Sequence, residues 1–294
     1  MDRGHFERLL AVNYAVVDSL WKKKPKDVEF VYADTLARKL LQHSLSAYVL
    51  WTRHTRATIP GVQGEIELLD WPSIEVLARA CTETYLAFHY LYIDAKSDDE
   101  FQFRYCAWML AGFTKRESFP TITEKGLQQV ARDAKANEKN RRRIQTTARF
   151  QGLKPRAQRW VLEGRGWHPE TTLSSMAKRI YGPQWGSFLY SLMSSHAHSD
   201  ALSAVQIKQS QDPESVQHLA DAAISQIGLV LARMTADYAD KFVKAGKTLA
   251  QHPYRKLNEA YANFGQDFPA IIEERRRALQ AGGGEEQRES HPAG

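Results

Sequence analysis

Within the stretch LARACTETYLAFHYL, Arg79 and Glu83 lie four residues apart and so share one face of a helix, with Glu75, Thr82 and Tyr90 close to the same line. Arg before Glu is the weaker order for an exposed intrahelical pair, and the flanking residues are apolar enough to cover this face. A covered guanidinium needs several acceptors, because a lone buried charge is strongly destabilising. Much later in the chain, QWGSFLYSLMSSHAHS places Ser187, Tyr190, Ser191, Ser194, Ser195 and His198 on one side of a helix at roughly 100° per residue. Phe188, Leu189, Leu192 and Met193 fall on the other side. The polar side carries no Lys, Arg or Glu, and small hydroxyls with one imidazole suit a lined cavity or a close helix contact better than a solvated face. If the two helices meet, His198 is a candidate general acid or base and Arg79 a stabiliser of developing negative charge. Glu83 would orient one of them, and Tyr190 and Ser194 would supply acceptors. The competing reading gives the same cluster a purely structural part, with the serines allowing tight packing.

A second group of residues suits phosphate. Residues 122–165 hold twelve Lys or Arg against four Asp or Glu, a net +8 that leaves −2 for the rest of a +6 chain. Arg141, Arg142, Arg143 and Arg149 stand there beside Phe150 and Trp160, with Trp167 just beyond. Basic side chains interleaved with aromatics fit phosphate contact plus base stacking, so RNA or single-stranded DNA is the expected partner; the alternative is an ordinary solvated helix face. No metal is expected: His196 and His198 would point about 200° apart on a helix, and apart from Asp200 no carboxylate or thiol stands at ligand spacing. The chain has no Gly-rich phosphate loop, dinucleotide fingerprint, CxxC pair or HExxH, so no cofactor is expected either.

The elements that must position these groups read as helices throughout. Apolar residues recur at helical spacing from His5 to Trp21 and from Asp27 to His54. A third helix starts at Asp70, with Pro72 in its first turn, and is apolar nearly all round, hence central. Ser97 caps a fourth helix, Thr121 or Thr123 a long polar one, and Thr171 or Thr172 a shorter one ended by Gly182-Pro183. A long helix follows Asp212-Pro213, and a last one runs from Leu257 to Leu279. No convincing strand alternates. The prediction is an all-α bundle of about nine helices in one domain over residues 1–280, with 122–165 as a basic helical insert and 281–294 as a disordered tail. No apolar run is read as long enough to span a bilayer, the N-terminus lacks the pattern of a signal peptide, and Cys81 and Cys106 sit inside apolar helical patterns. A cytoplasmic protein with no membrane association, compatible with a homo-oligomer, is the expectation.

The pairing of LARACTETYLAFHYL with YSLMSSHAHSD resembles a family of prokaryotic all-helical domains of unknown function, over about residues 28–234. That resemblance makes Arg79, Glu83, Tyr190, Ser194 and His198 the shared polar positions. A broader resemblance is to HEPN-like helical proteins, whose ribonuclease members carry an Arg and a His four to six residues apart on one helix. Arg38 and His43, in RKLLQH, have that spacing. The resemblance implies a metal-independent ribonuclease or an RNA-binding, defence-type protein. The alternative is a non-catalytic helical interaction or nucleic-acid-binding protein.

Overall fold

In the computed structural model, residues 1–20, 30–198 and 200–264 are described, and about 78% of them are helical. The chain begins with α1 (Arg3–Asp18) and α2 (Val31–Arg53), and a hairpin of β1 (Thr55–Ala57) and β2 (Ile66–Leu68) follows. Next come α3 (Trp71–Phe88), which runs on into a π turn (His89–Ile93), and α4 (Asp98–Glu117). The basic segment forms α5 (Glu124–Gln145), α6 (Ala148–Gln151) and α7 (Pro155–Leu162). The remaining helices are α8 (Leu173–Tyr181), α9 (Pro183–His198), α10 (Ala201–Gln209), α11 (Pro213–Lys241), α12 (Val243–Gln251) and α13 (Arg255–Asn263).

The fold is all-α, with thirteen α-helices among the described residues rather than about nine. The extra boundaries have local causes. Thr147 accepts a hydrogen bond from the Phe150 amide and so starts α6 two residues after α5 ends, and the Asp200 carboxylate caps the Leu202 and Ser203 amides to start α10. The hairpin stays within the single short one the helical reading allows, and its strands went unplaced because three residues cannot display alternation; it pairs Arg56 with Glu67 at 2.8 Å. Of the expected caps, Ser97, Thr123 rather than Thr121, and Thr172 rather than Thr171 each accept from an amide three residues on, and so do Asp70 and Asp212 at the expected helix starts. The disordered-tail expectation, and most of the helix expected to end at Leu279, lie outside the described residues.

Two hydrophobic clusters hold the fold. The larger joins α1, α2, α3, α8 and α11, with Phe6, Leu9, Leu40, Ile74, Leu86, Phe88 and Tyr238 essentially without exposed surface. The smaller joins α4 to α5, α6 and α7 through Phe103, Leu110, Ile144, Phe150 and Val161. Phe101 and Trp167 pack against both, so α4 and the turn after α7 bridge the two clusters. One free cysteine is buried in each cluster, Cys81 in the larger and Cys106 in the smaller. By length and composition α11 could cross a bilayer, contrary to the sequence expectation, yet it lies in the middle of the larger cluster and 67% of its most apolar window is buried.

Helix α5 is attached to α4 by polar groups. Arg116 donates from Nε and Nη2 to the two oxygens of buried Asp133, both at 2.5 Å, and Asn137 donates to Glu117 at 2.7 Å. The Arg116 guanidinium holds the Asp133 carboxyl below its usual range. This accounts for a helix with so little apolar content, in which Ile144 is the one fully buried apolar anchor. Replacing Ile144 with Ala should cost about 2–5 kcal/mol in urea unfolding, whereas Ile122→Ala, at a residue 95% exposed, should stay within about 0.5 kcal/mol of wild type. Equal effects would mean that the smaller cluster does not contribute to global stability.

Candidate functional site

Trp71, Glu75, Arg79 and Glu83 fall one helical turn apart along α3 and form a ladder facing α9. Arg79 is only 12% exposed at its side chain; its Nε donates to Glu83 Oε1 at 2.9 Å, and Nη2 lies 2.8 Å from the same oxygen. Nη2 also reaches the Tyr190 hydroxyl at 3.4 Å, and the guanidinium stands 5.1 Å from the Tyr190 ring centroid. Nη1 is buried with no hydrogen-bond partner. At the other end of the ladder Trp71 meets His196 edge to face at 4.9 Å, so α3 and α9 run antiparallel.

The structure therefore brings Arg79, Glu83 and Tyr190 together across a long stretch of chain, and it does not bring His198 to them. His198 is exposed, and eight residues of helix separate it from Tyr190, about 12 Å along the axis. The buried imidazole is His196, 8% exposed, whose Nε2 lies 2.9 Å from Gln206 Oε1 on α10. Ser194 is half-buried one turn beyond Tyr190. Glu75, between Trp71 and Arg79, is 3% exposed, and burial alone lifts its carboxyl to about 7. The Arg38 and His43 pair on α2 diverges by about 140° round the helix. Arg38 Nε binds Asp34 at 2.8 Å and Nη2 donates to the Val17 carbonyl, while the half-buried His43, lowered by burial, has an unpartnered Nε2.

A well-formed concavity lies elsewhere. A cleft of about 960 Å³ opens between the second half of α4, the end of α7 and the turn after it, with Tyr32 of α2 completing the wall. Its sides are aromatic, formed by Trp108, Phe113, Trp160 and Trp167, while exposed Lys115 and Arg165 stand at its edge. The rings brace one another: Tyr32 meets Trp108 at 5.6 Å, Trp167 meets Tyr90 at 5.3 Å, and His168 packs on Trp167 at 4.5 Å. His168 Nδ1 is 2.7 Å from the Thr171 carbonyl, which fixes its ring. The Gly164-Arg165-Gly166 turn must be glycine at both ends. Gly164 has φ +67° and lies against the Thr114 side chain, and a Cβ on Gly166 would overlap the Trp160 ring.

The sequence-selected arginines do not line this cleft, and Arg141, Arg142 and Arg149 have partners of their own. Arg141 Nε donates to the Leu162 carbonyl at 3.1 Å, next to cleft residue Glu163. Arg142 is exposed and paired with Glu138 at 2.9 Å, and Arg149 is paired with Glu170. Arg143 lines a smaller pocket with Gln102 and Lys241, away from the cleft. Trp160 and Trp167 were visible in the sequence; Tyr32, Trp108, Phe113 and Lys115 were not, because nothing local ties α2 and α4 to residues 160–168. The glycine pair flanking Arg165 is the one local signal of a built turn. Among the described residues, no group of three His, Cys, Asp or Glu side chains gathers at metal-binding distance. Compared with protein-family models, curated proteins and solved structures, the chain matches none.

The buried Glu75 gives the α3–α9 contact a pH signature. Its carboxyl titrates near 4.5 in the unfolded chain and about 7 in the fold, so the folded protein holds the proton more tightly. Stability should therefore fall as pH rises through that window, by on the order of 3 kcal/mol. Glu75→Gln should remove this slope, leaving the variant more stable than wild type at pH 8 and similar to it at pH 4.5 in urea unfolding. A difference between the two proteins that is flat with pH would place the carboxylate in contact with water.

Proposed function

We propose that this chain binds single-stranded nucleic acid, with a base stacked in the aromatic cleft and flanking phosphates on the cations around it. The observation that carries this reading is the cleft itself: four large rings enclosing a ligand-sized space, with Lys115 and Arg165 at the edge. Exposed Arg156 and Arg159 on α7, and Arg142 and Lys139 on α5, extend the positive surface along the same segment. Pairing with Glu138 or Glu163 does not remove these charges from play, since exposed ion pairs are weak and exchange readily for phosphate. Ring faces accept any base, so the expected selectivity is for unpaired strands rather than for sequence.

In this reading the α3–α9 cluster keeps two helices in register, and Arg38 serves the Asp34 contact. The proposal rests on the cleft and not on the Arg38–His43 spacing that the HEPN-like nucleases share. A nuclease activity would be an addition to binding, and the binding experiment does not depend on it.

Tryptophan fluorescence of the full chain, titrated with oligo(U) and oligo(dT), tests the proposal. Quenching is expected, with affinity falling steeply between about 50 and 200 mM salt as counterions are released. The double variant Lys115→Glu, Arg165→Glu should weaken binding about tenfold or more at low salt and flatten the salt dependence. Its unfolding curve should be unchanged, because both side chains are exposed. Unaltered affinity in the double variant, or preference for duplex over single strands, would contradict the assignment to this cleft.

A further inference from the structure

On another face of the bundle, a pocket of about 420 Å³ lies between α3 with its π turn, α8, α11 and α13. Tyr85, His89, Asp94, Arg179, Arg233 and Asp237 supply its polar groups. None of these was selected from the sequence, and the cleft makes no use of them. The π turn places His89 here: one extra residue in the ladder re-aims the side chains that follow, a feature found often at functional sites.

The hydrogen-bonding groups in this pocket are incompletely matched. Arg233 donates to two main-chain carbonyls, Ile180 at 2.9 Å and Phe264 at 3.2 Å, and its guanidinium stands 4.8 Å from the Tyr181 ring centroid. Its Nε is buried without a partner, and among the described residues no carboxylate pairs with it. Asp237, one turn further along α11, is close enough to feel the Arg233 charge but makes no direct ion pair with it. Its Oδ2 accepts from the Tyr85 hydroxyl at 2.7 Å, and burial raises the carboxyl so that it gives up its proton less readily. Arg179 donates to Asp94 at 3.1 Å; Asp94 also accepts from Arg104 at 3.1 Å, and Arg104 is paired with Glu100 as well. His89 packs edge to face on Tyr85 at 5.8 Å, and neither ring nitrogen has a hydrogen-bond partner among the described residues. Burial, the largest influence, drives its imidazole down to about 4; Arg179, Lys96 and Arg233 act in the same direction and Asp94 against it. The ring is neutral at pH 7 and offers one N–H and one acceptor.

We propose that this pocket binds a phosphate monoester, with Arg179, Arg233 and His89 converging on the phosphoryl oxygens. The three donors come from α8, α11 and the π turn, and a phosphoryl group, with three oxygens, can accept from all three where a carboxylate has only two oxygens. The anion supplies the direct ionic partner that Arg233 lacks, and the remaining volume accommodates the organic part of the ester. The site is independent of the nucleic-acid cleft and stands or falls separately from it.

Histidine-selective NMR of the full chain tests this, with His89 assigned through His89→Gln. Inorganic phosphate should shift the His89 resonances at pH 7 and raise its titration midpoint by about one pH unit or more, because a bound dianion favours the imidazolium. Acetate at matched ionic strength should leave the resonances near their starting positions. Arg179→Gln removes an exposed side chain that takes no part in the core, and it should weaken phosphate binding about tenfold or more without altering thermal stability. Arg233→Gln should do the same if it folds, and Arg179→Gln decides the matter if it does not. His89 resonances that ignore phosphate, respond equally to acetate, or respond equally in Arg179→Gln would overturn the proposal.

Discussion

The architecture depends on a constraint imposed by α11: a 29-residue helix in the middle of the bundle that still carries polar side chains. Polar groups taken from water need partners, and apart from Arg233 Nε the buried polar groups of α11 find them, several on three other helices. Asp221 accepts from the Trp51 indole at 2.8 Å, Gln226 donates to Thr82 at 3.3 Å, and Thr235 accepts from Asn13 at 2.8 Å. Asp237 accepts from Tyr85, and Tyr238 donates to Asp34 at 3.0 Å. Apolar packing alone would tolerate sliding α11 by a turn; these bonds would not, because a shift orphans several buried groups at once. They fix α1, α2 and α3 relative to one axis, and α3 in turn carries both the Arg79 cluster and the π turn.

The smaller cluster follows a different rule. The second half of α4 meets α5 through Arg116, Asp133, Asn137 and Glu117, with apolar contact concentrated nearer Ile144 and α7. A polar interface of this kind is specific but contributes modest net stability, since each hydrogen bond replaces one with water. The aromatic cleft lies along this same half of α4, so its walls are set by helices that are docked in one geometry without being sealed by a large core. The two glycines of the 164–166 turn complete that geometry by letting backbone approach Thr114 and Trp160 where a side chain would not fit.

How much of this was legible depended on how local the signal was. Helix starts at Asp70, Ser97, Thr123, Thr172 and Asp212 could be read because a cap is a contact between near neighbours. The Arg79, Glu83 and Tyr190 grouping could also be read, since an Arg on a largely apolar helix has to find acceptors. The choice of His198 over His196 could not be made: two residues turn the side chain by about 200°, and the deciding partners, Trp71 and Gln206, lie on other elements. The burial of Asp133, Asn137 and Asn140 on α5 was hidden for the same reason, because a polar face that packs on a polar face looks like one that meets water. The π turn has no sequence signature at all in HYLYI, and the pocket beside it draws on residues spread from Tyr85 to Asn263.

The placement of the two cysteines divides the molecule in a way that has a practical consequence. Cys81 is sealed against Leu40 and Ser44 in the larger cluster, where burial pushes its thiol up to about 12; Cys106 is sealed in the smaller. Neither sulfur can meet a reagent until its own surroundings separate. Alkylation at each sulfur is therefore a clock for the opening of one cluster, and the unmodified protein carries two such clocks that mass spectrometry reads independently. Equal rates would describe a molecule that opens as one cooperative unit, and a faster Cys106 would describe one whose polar-docked helices breathe while the α11 bundle stays shut.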